Sequence, residues 1–225
     1  MEHPILFLDL LFEKFGLHIP PHLSYAVLAA LVLLGLGWLA GRRISMVPKG
    51  AQNVFELVIS GLEDFMVEIT GEEGRAFFPY ICTVFLFIAS CNLIGLLPGF
   101  FSPTANINTP LALALCTFVF THYLGVKYHG AKYIKHFLGP IPALAPLFFP
   151  IELIGHFARV LSLTLRLFGN IMGEDLVLAI LLFLAGRFLA PLPMMFLAVF
   201  TSVVQAFVFT LLSMMYFAGS MEHAH

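Results

Sequence analysis

The sequence predicts an all-α membrane protein with about five transmembrane helices, a membrane-surface helix after the first of them, and a long helical hairpin at the C-terminus. Of its 225 residues, 60% are hydrophobic and only 11% are charged, whereas roughly 25% are charged in a typical soluble domain. The mean hydropathy is +0.97. Apolar residues are gathered in stretches of about 20 or more, the length that a helix needs to cross a bilayer. We therefore expect residues 1–225 to form a single integral membrane domain.

The N-terminal segment, 1–45, contains the first predicted span, "HLSYAVLAALVLLGLGWLAG" at 22–41. The next segment, 46–74, also has helical periodicity, but carboxylates interrupt it at Glu56, Glu63, Asp64 and Glu68. An apolar stripe beside many charges is typical of a helix that lies in the membrane interface. The stripe consists of Val54, Leu57, Val58, Leu62, Phe65 and Ile69.

The segment 75–145 holds the second and third predicted spans, at 76–98 and 110–126, with their loops. Between the two spans lies the charge-free, turn-rich loop "GFFSPTANINTP". The last segment, 146–225, consists of two long apolar stretches on either side of "AGRFLAPLP" at 185–193, which predicts a helical hairpin.

Orientation follows from the basic residues, which are enriched in cytoplasmic loops. The loops after the first and third predicted spans would lie on one side, and together they hold Arg42, Arg43, Lys49, Arg75, Lys127, Lys132 and Lys135. The opposite side receives only Lys14 and Arg187. We therefore expect the N-terminus outside and the C-terminus in the cytoplasm.

Several function classes are disfavoured by what the sequence lacks. The net charge is −2 and no basic stretch is dense, so we expect no nucleic-acid partner. There is no P-loop, HExxH or GxSxG motif, and we expect no metal and no cofactor. No internal repeat is evident, which disfavours an inverted-repeat transporter.

The fourth predicted span stands out because it carries ionisable residues. A charge at the bilayer centre costs about 2.5–3.5 kcal/mol even on the lenient insertion scale, so such residues are functional candidates by default. They are Glu152, His156, Arg159, Arg166, Glu174 and Asp175.

Helix geometry sorts these residues by face. Glu152, Arg159 and Arg166 are spaced by seven residues each and share one face. Ser162 and Asn170 flank Arg166 one turn away on either side. Nine residues beyond Arg166 comes Asp175, which is predicted to point to the opposite side and to lie about 13 Å further along the axis.

Structural explanations remain open for some of these residues. Glu152 and Arg159 could pair with each other or lie at the interface, His156 could be a packing histidine, and Glu174 could solvate a channel mouth. On the last helix, a polar stripe that includes Gln205 could join helices through hydrogen bonds. Asn92, beside "LIGLLP", could likewise join helices through hydrogen bonds.

Two stretches, "LSLTLRLFGNIMGEDLV" and "FTSVVQAFVFTLLSMMYF", resemble subunit a of F-type ATP synthase, the stator of the membrane proton motor. Earlier stretches fit as well, namely "MVPKGAQNVFELV" and "NLIGLLPG". The resemblance covers about residues 46–222, and "RLFGN" in this setting is its most specific part. The first 20 residues carry no motif of this family.

The resemblance implies roles by position. Arg166 corresponds to the essential stator arginine, Asn170 to the polar position one turn later, and Gln205 to the final-helix glutamine that faces the arginine. Upstream polar positions associated with the ion path correspond to Glu152, Ser162 and Asn92. Asp175 stands where many relatives carry glutamate. Some relatives carry a histidine seven residues before the final-helix glutamine, but this sequence has Ala198 at that position. The proton entry path would therefore depend on Asp175, with Glu174 as the alternative acid.

The resemblance also implies the partners and the location. These are the c-ring rotor, the peripheral-stalk subunit b, the remaining ATP synthase complex and the lipid of a bacterial inner membrane. The helices of the long C-terminal hairpin would be tilted and would form the ion path, and the subunit would be non-catalytic, with no nucleotide chemistry of its own. The alternative is a self-contained ion channel or secondary transporter in which Arg166 binds an anionic substrate. A membrane anchor is a third possibility.

Overall fold

The computed structural model describes residues 6–14, 16, 19–41, 50–97, 99–130, 133, 145–185 and 191–221. These residues are helical apart from short turns, and the described ranges contain no strand. The helices are α1 (Phe7–Lys14), α2 (Pro21–Gly41), α3 (Ala51–Thr70), α4 (Phe78–Gly95), α5 (Asn108–His129), α6 (Ala145–Ala185) and α7 (Pro191–Met221), with 3-10 turns at Glu72–Phe77 and Pro103–Ala105. The predicted fold class is confirmed.

Five stretches of the described helices are long and apolar enough to cross a membrane: Pro21–Gly41, Glu72–Gly95, Asn108–His129, Phe148–Leu184 and Leu192–Met221. The third extends beyond its predicted end, so that Lys127 lies in the last turn of α5 rather than in a loop. Arg42, Arg43, Lys49, Lys132, Lys135 and Arg187, on which the predicted orientation also rests, lie outside the described residues.

The length of α6 requires a steep inclination in any bilayer. It is a continuous helix of 41 residues, which at 1.5 Å per residue is about 60 Å long. The hydrocarbon core is only about 30 Å thick. An apolar helix of this length stays within the membrane only if it tilts strongly, as the family resemblance implies for the hairpin.

The amphipathic helix α3 forms where the sequence predicts it, but only half of its apolar stripe packs on the protein. Leu62 and Met66 are buried in a cluster with Phe77, and Phe65 packs against the edge of that cluster. Near the N-terminal end of α3, Leu57 is 73% exposed. This end of the stripe is left free to contact lipid, which fits a helix at the membrane interface.

The bundle is built mainly from two pairings, α4 on α7 and α5 on α6. A buried cluster joins α4, α5, α6 and α7 at the centre, and it consists of Val84, Ile88, Ala114, Leu163, Leu167, Ile171, Ala206 and Phe209. This packing fixes α6 and α7 side by side, and the candidate site lies along them.

The N-terminal helix is attached to the loop between α4 and α5. The Tyr25 hydroxyl donates a hydrogen bond to the Gly99 carbonyl at 3.2 Å and accepts one from the Leu8 N–H at 3.2 Å. Gly99 has a φ of 85°, a conformation that favours glycine, and a Cβ there would collide with the Phe7 ring. These contacts hold α1 against the end of the bundle at which α4 ends and α5 begins.

Candidate functional site

The hairpin of α6 and α7 is a regular antiparallel pair. Arg159 lies over the Tyr216 ring, with 5.5 Å from Cζ to the ring centroid. Further along, Asn170 is hydrogen-bonded to Gln205, and Glu174 interacts with the Thr201 hydroxyl. Along these three pairs, the residue number rises on α6 by as much as it falls on α7, as expected for two antiparallel helices. The polar residues predicted on the two stretches are therefore brought together across one interface.

Arg166 lies on an exposed face of α6. Its Nη2 donates to Ser162 Oγ at a long 3.4 Å. In the described ranges the ion pairs join Arg75 to Glu63 and Glu72, and His156 to Glu152, and none of them includes Arg166. Arg159, Ser162 and Asn170, predicted to share this face, are exposed as well. The chain thus presents a guanidinium on a surface that its own described helices leave uncovered.

Asn170 and Gln205 form a direct polar bridge between α6 and α7. The Asn170 Nδ2 donates to Gln205 Oε1 at 2.7 Å. Gln205 is only 4% exposed, and its Nε2 has no hydrogen-bond partner within the described part of the chain. An amide donor thus remains available in the buried interface one turn from Arg166.

A second polar group, here called the hairpin-end group, consists of Asn92, Ser102, Thr104 and Ser202. Asn92 Nδ2 donates to the Ser202 carbonyl at 3.2 Å, and the Thr104 hydroxyl donates to Asn92 Oδ1 at 2.5 Å. The Ser102 hydroxyl pairs with Thr104 at 2.8 Å. All four residues are buried. This group ties α4, the loop after it and α7 together on the side of Arg166 where the hairpin turns.

Glu174 and Asp175 lie on the same side of Arg166 as the hairpin-end group. Both are partly buried, and the two carboxyls are close enough to interact electrostatically. Neither forms an ion pair with a basic residue in the described ranges. Glu174 therefore lies near the Thr201 hydroxyl of α7, and neither acid has a basic partner in these ranges.

On the other side of Arg166 lies the histidine cluster, defined as His122, Glu152 and His156. His156 Nε2 is 3.5 Å from Glu152 Oε1, and the rings of His156 and His122 are 4.8 Å apart between centroids. His156 is only 6% exposed. Glu152 thus approaches His156, a contact that the sequence analysis did not predict, and no ion pair joins Glu152 to Arg159 in the described ranges.

Sequence reasoning missed His122, Ser102 and Thr104. His122 lies on α5, within the third predicted span, and Ser102 and Thr104 lie in a turn-rich loop. Helical spacing relates residues within one helix and carries no information on contacts between helices. One signal was available, since a histidine inside an apolar span is itself a functional candidate.

Comparison with known proteins bears on the arrangement as a whole. The family described as ATP synthase A chain matches residues 23–218, which is most of the chain and includes every candidate residue named above.

Curated relatives match over their full length. The chain is 62% identical to the ATP synthase subunit a of Syntrophobacter fumaroxidans, over 100% of both chains. It is 61% identical to that of Desulfosudis oleivorans and 54% identical to that of Citrifermentans bemidjiense, again over 100% of each chain.

Proposed function

The chain belongs to the ATP synthase A chain family, and from that premise we propose that it is the proton-translocating stator subunit of an F-type ATP synthase. It is an integral membrane protein, as its five apolar helices indicate. Its partner is the ATP synthase complex. Within that complex, we propose that its neighbours are the c-ring rotor and the peripheral-stalk subunit b.

One observation carries the proposal, namely the exposed guanidinium of Arg166 on an apolar helix, with no carboxylate partner in the described ranges. An arginine stays charged at every relevant pH, and a charge in the membrane is expensive without compensation. The compensation that we propose is a carboxylate on the rotor. This partner would meet Arg166 on the face that the chain leaves uncovered.

The proposed mechanism follows from how charge behaves in lipid. A rotor carboxyl that faces lipid is protonated because ionisation there is costly. When it reaches Arg166, the nearby positive charge favours its ionised form, and it releases its proton. Arg166 keeps its own proton and so blocks direct passage between the two sides. Each proton that crosses contributes about 2.3 kcal/mol per 100 mV of membrane potential, which biases the rotation.

Two half-paths would bring protons to and from this point. We assign the outer one to the hairpin side, where the carboxyls of Asp175 and Glu174 stand closest to the turn. Its other polar groups are Asn170, Gln205 and Asn92. Both ends of the Asn92 amide are hydrogen-bonded, so we assign it the role of positioning the wall of the path.

The cytoplasmic half-path would lie on the opposite side of Arg166. We assign it to Glu152 and Ser162, with His156 and Arg159 as further members. The basic loops support this orientation, with the N-terminus outside and the C-terminus in the cytoplasm of a bacterial inner membrane. The polar residues of the described helices divide into two sets with Arg166 between them, which supports two separate paths.

The test is ATP-driven proton pumping in membrane vesicles that carry Arg166→Ala. We expect pumping to be lost while the amount of assembled complex stays normal. Arg75→Ala is the matched control, because Arg75 is exposed and forms only surface ion pairs, which contribute little. Normal pumping by Arg166→Ala would overturn the proposal and return Arg166 to an anion-binding or interfacial role.

A further inference from the structure

The histidine cluster lies where α5 ends and α6 begins, at the end of the bundle that we assign to the cytoplasm. It joins two helices, because His122 belongs to α5 while Glu152 and His156 belong to α6. The two imidazole rings meet edge to face, with 72° between their planes. Two titratable rings and a carboxyl are therefore in close proximity between two membrane-spanning helices.

The cluster continues towards the end of the bundle through two more groups. The Tyr133 ring is 6.0 Å from His122, and the His129 ring is stacked on Tyr133 at 6.5 Å, both between ring centroids. His129 Nε2 is hydrogen-bonded to the Ser220 carbonyl of α7 at 3.0 Å. Proton-carrying side chains thus follow one another from Glu152 to the last turns of α5 and α7.

A cavity adjoins both histidines. The centre of a water-sized sphere can occupy about 10 Å³ of this cavity. The residues that line it include Thr117, Thr121, His122, His156 and Arg159. One water needs about 10–15 Å³ measured in this way, together with two to four polar partners. The cavity is close to this size and has the polar partners, so one water bridging the two rings fits there.

The chemistry of the side chains suits proton transfer. Imidazole has an ordinary pKa near 6.5, and its two nitrogens allow one to accept a proton while the other donates. The pKa of the Tyr133 phenol is raised because the side chain is buried, and the positive charge of Arg159 offsets only part of this rise. The phenol therefore remains a neutral donor. Among the described residues, the charged and titratable groups that face the rings are Glu152 and Arg159 on α6, Tyr133 beyond α5, and Tyr216 on α7.

We propose that His122 and His156 are proton-transfer residues of the cytoplasmic half-path and relay protons between Glu152 and the Tyr133–His129 end of the bundle. This inference rests on the proposed function of the chain. In each transfer, one imidazole nitrogen takes up a proton and the other nitrogen of the same ring releases one to the next group or to water. The ring returns to its neutral form, and one proton moves per step.

The test compares this role with simple ring packing. His122→Phe and His156→Phe keep an aromatic ring at each position but cannot carry a proton. In vesicles that hold the assembled complex, proton flux is measured per complex as the pH on the cytoplasmic side is varied between about 5 and 8, where histidine titrates. We expect the double variant to lose roughly a hundredfold in flux, at the low edge of what positioned proton-transfer groups contribute, and to lose the pH transition that titration of histidine gives the wild type in this range.

Phe118→Leu serves as the matched control. The Phe118 ring packs on His122 at 4.2 Å and on His156 at 6.1 Å between centroids, so this variant disturbs the packing and removes no titratable group. We expect it to keep the pH transition. Where the double variant assembles poorly, each single variant is measured in the same way, with the same expectation for the pH transition.

The outcomes separate this inference from the proposed function. Wild-type flux and an unchanged pH transition in the phenylalanine variants would overturn the relay, and an equal change in Phe118→Leu would assign the effect to packing. Arg166→Ala is measured in parallel. If it loses coupled pumping while the phenylalanine variants behave as wild type, only the relay fails, whereas normal pumping by Arg166→Ala would remove the premise of both.

Discussion

The histidine cluster and the hairpin-end group lie on opposite sides of Arg166, and they satisfy buried polar atoms in different ways. In the hairpin-end group, neutral amide and hydroxyl groups are joined by hydrogen bonds of 2.5–3.3 Å. In the histidine cluster, titratable rings and a carboxyl meet at longer distances beside a small cavity. The first arrangement ties helices together, and the second is the one for which we propose proton transfer.

The comparison shows that a polar residue in an apolar chain has to be judged by its partners. Asn92 and His156 are almost equally buried, at 1% and 6% exposure. Both hydrogen-bonding ends of the Asn92 amide are satisfied by other helices or loops, so any change there removes structure. His156 faces a carboxyl and a second imidazole, so changes there alter proton affinity. Substitutions in the two groups should therefore affect different measurable quantities.

The largest effect on stability is expected from Asn92→Leu. This change removes the hydrogen bonds of the Asn92 amide to the Thr104 hydroxyl and the Ser202 carbonyl in a buried site, and each hydrogen bond contributes about 0.5–1.5 kcal/mol. We expect a clear fall in the thermal midpoint of the purified complex.

Thr83→Val on the same helix is the control for Asn92→Leu. The Thr83 hydroxyl bonds only the Pro79 carbonyl of its own helix, at an exposed position, and we expect an effect within about 0.5 kcal/mol. If the two variants unfolded at the same temperature, the hairpin-end group would not be holding the helices together.

A smaller effect is expected at the bridge between Asn170 and Gln205. The single variants Asn170→Leu and Gln205→Leu, with the double variant, form a mutant cycle that isolates the 2.7 Å hydrogen bond. Interhelical hydrogen bonds in membranes contribute about 0.6 kcal/mol on average, and we expect a coupling energy of that size. Strictly additive stabilities would mean that the bridge does not join α6 to α7.

Much of the fold was predictable because its signal is local. Hydropathy located the spans, and the periodic apolar stripe predicted the helix α3. The exact ends of the helices were predicted less well, since α5 continues by a turn beyond the predicted span and includes Lys127. Packing was not predictable in the same way. Nothing in the stripe of α3 distinguishes Leu62, which is buried, from Leu57, which is exposed.

The candidate site was predictable only in part, for the same reason. Spacing along one helix placed Arg166, Ser162 and Asn170 on one face, and the family resemblance added Gln205. The contacts of His156 with His122 and of Asn92 with Thr104 join residues far apart in the sequence. Such contacts depend on how α4, α5, α6 and α7 are arranged in space, which no helical period encodes.

The most direct test of the central claim, that Arg166 separates two proton paths, is passive proton flux. Vesicles carrying Arg166→Ala would be stripped of the nucleotide-hydrolysing part of the complex and compared with vesicles carrying Arg75→Ala. We predict that Arg166→Ala conducts protons faster than the control at the same driving force, because the positive barrier between the two paths is gone. Equal flux in the two, with equal amounts of assembled subunit, would contradict the claim.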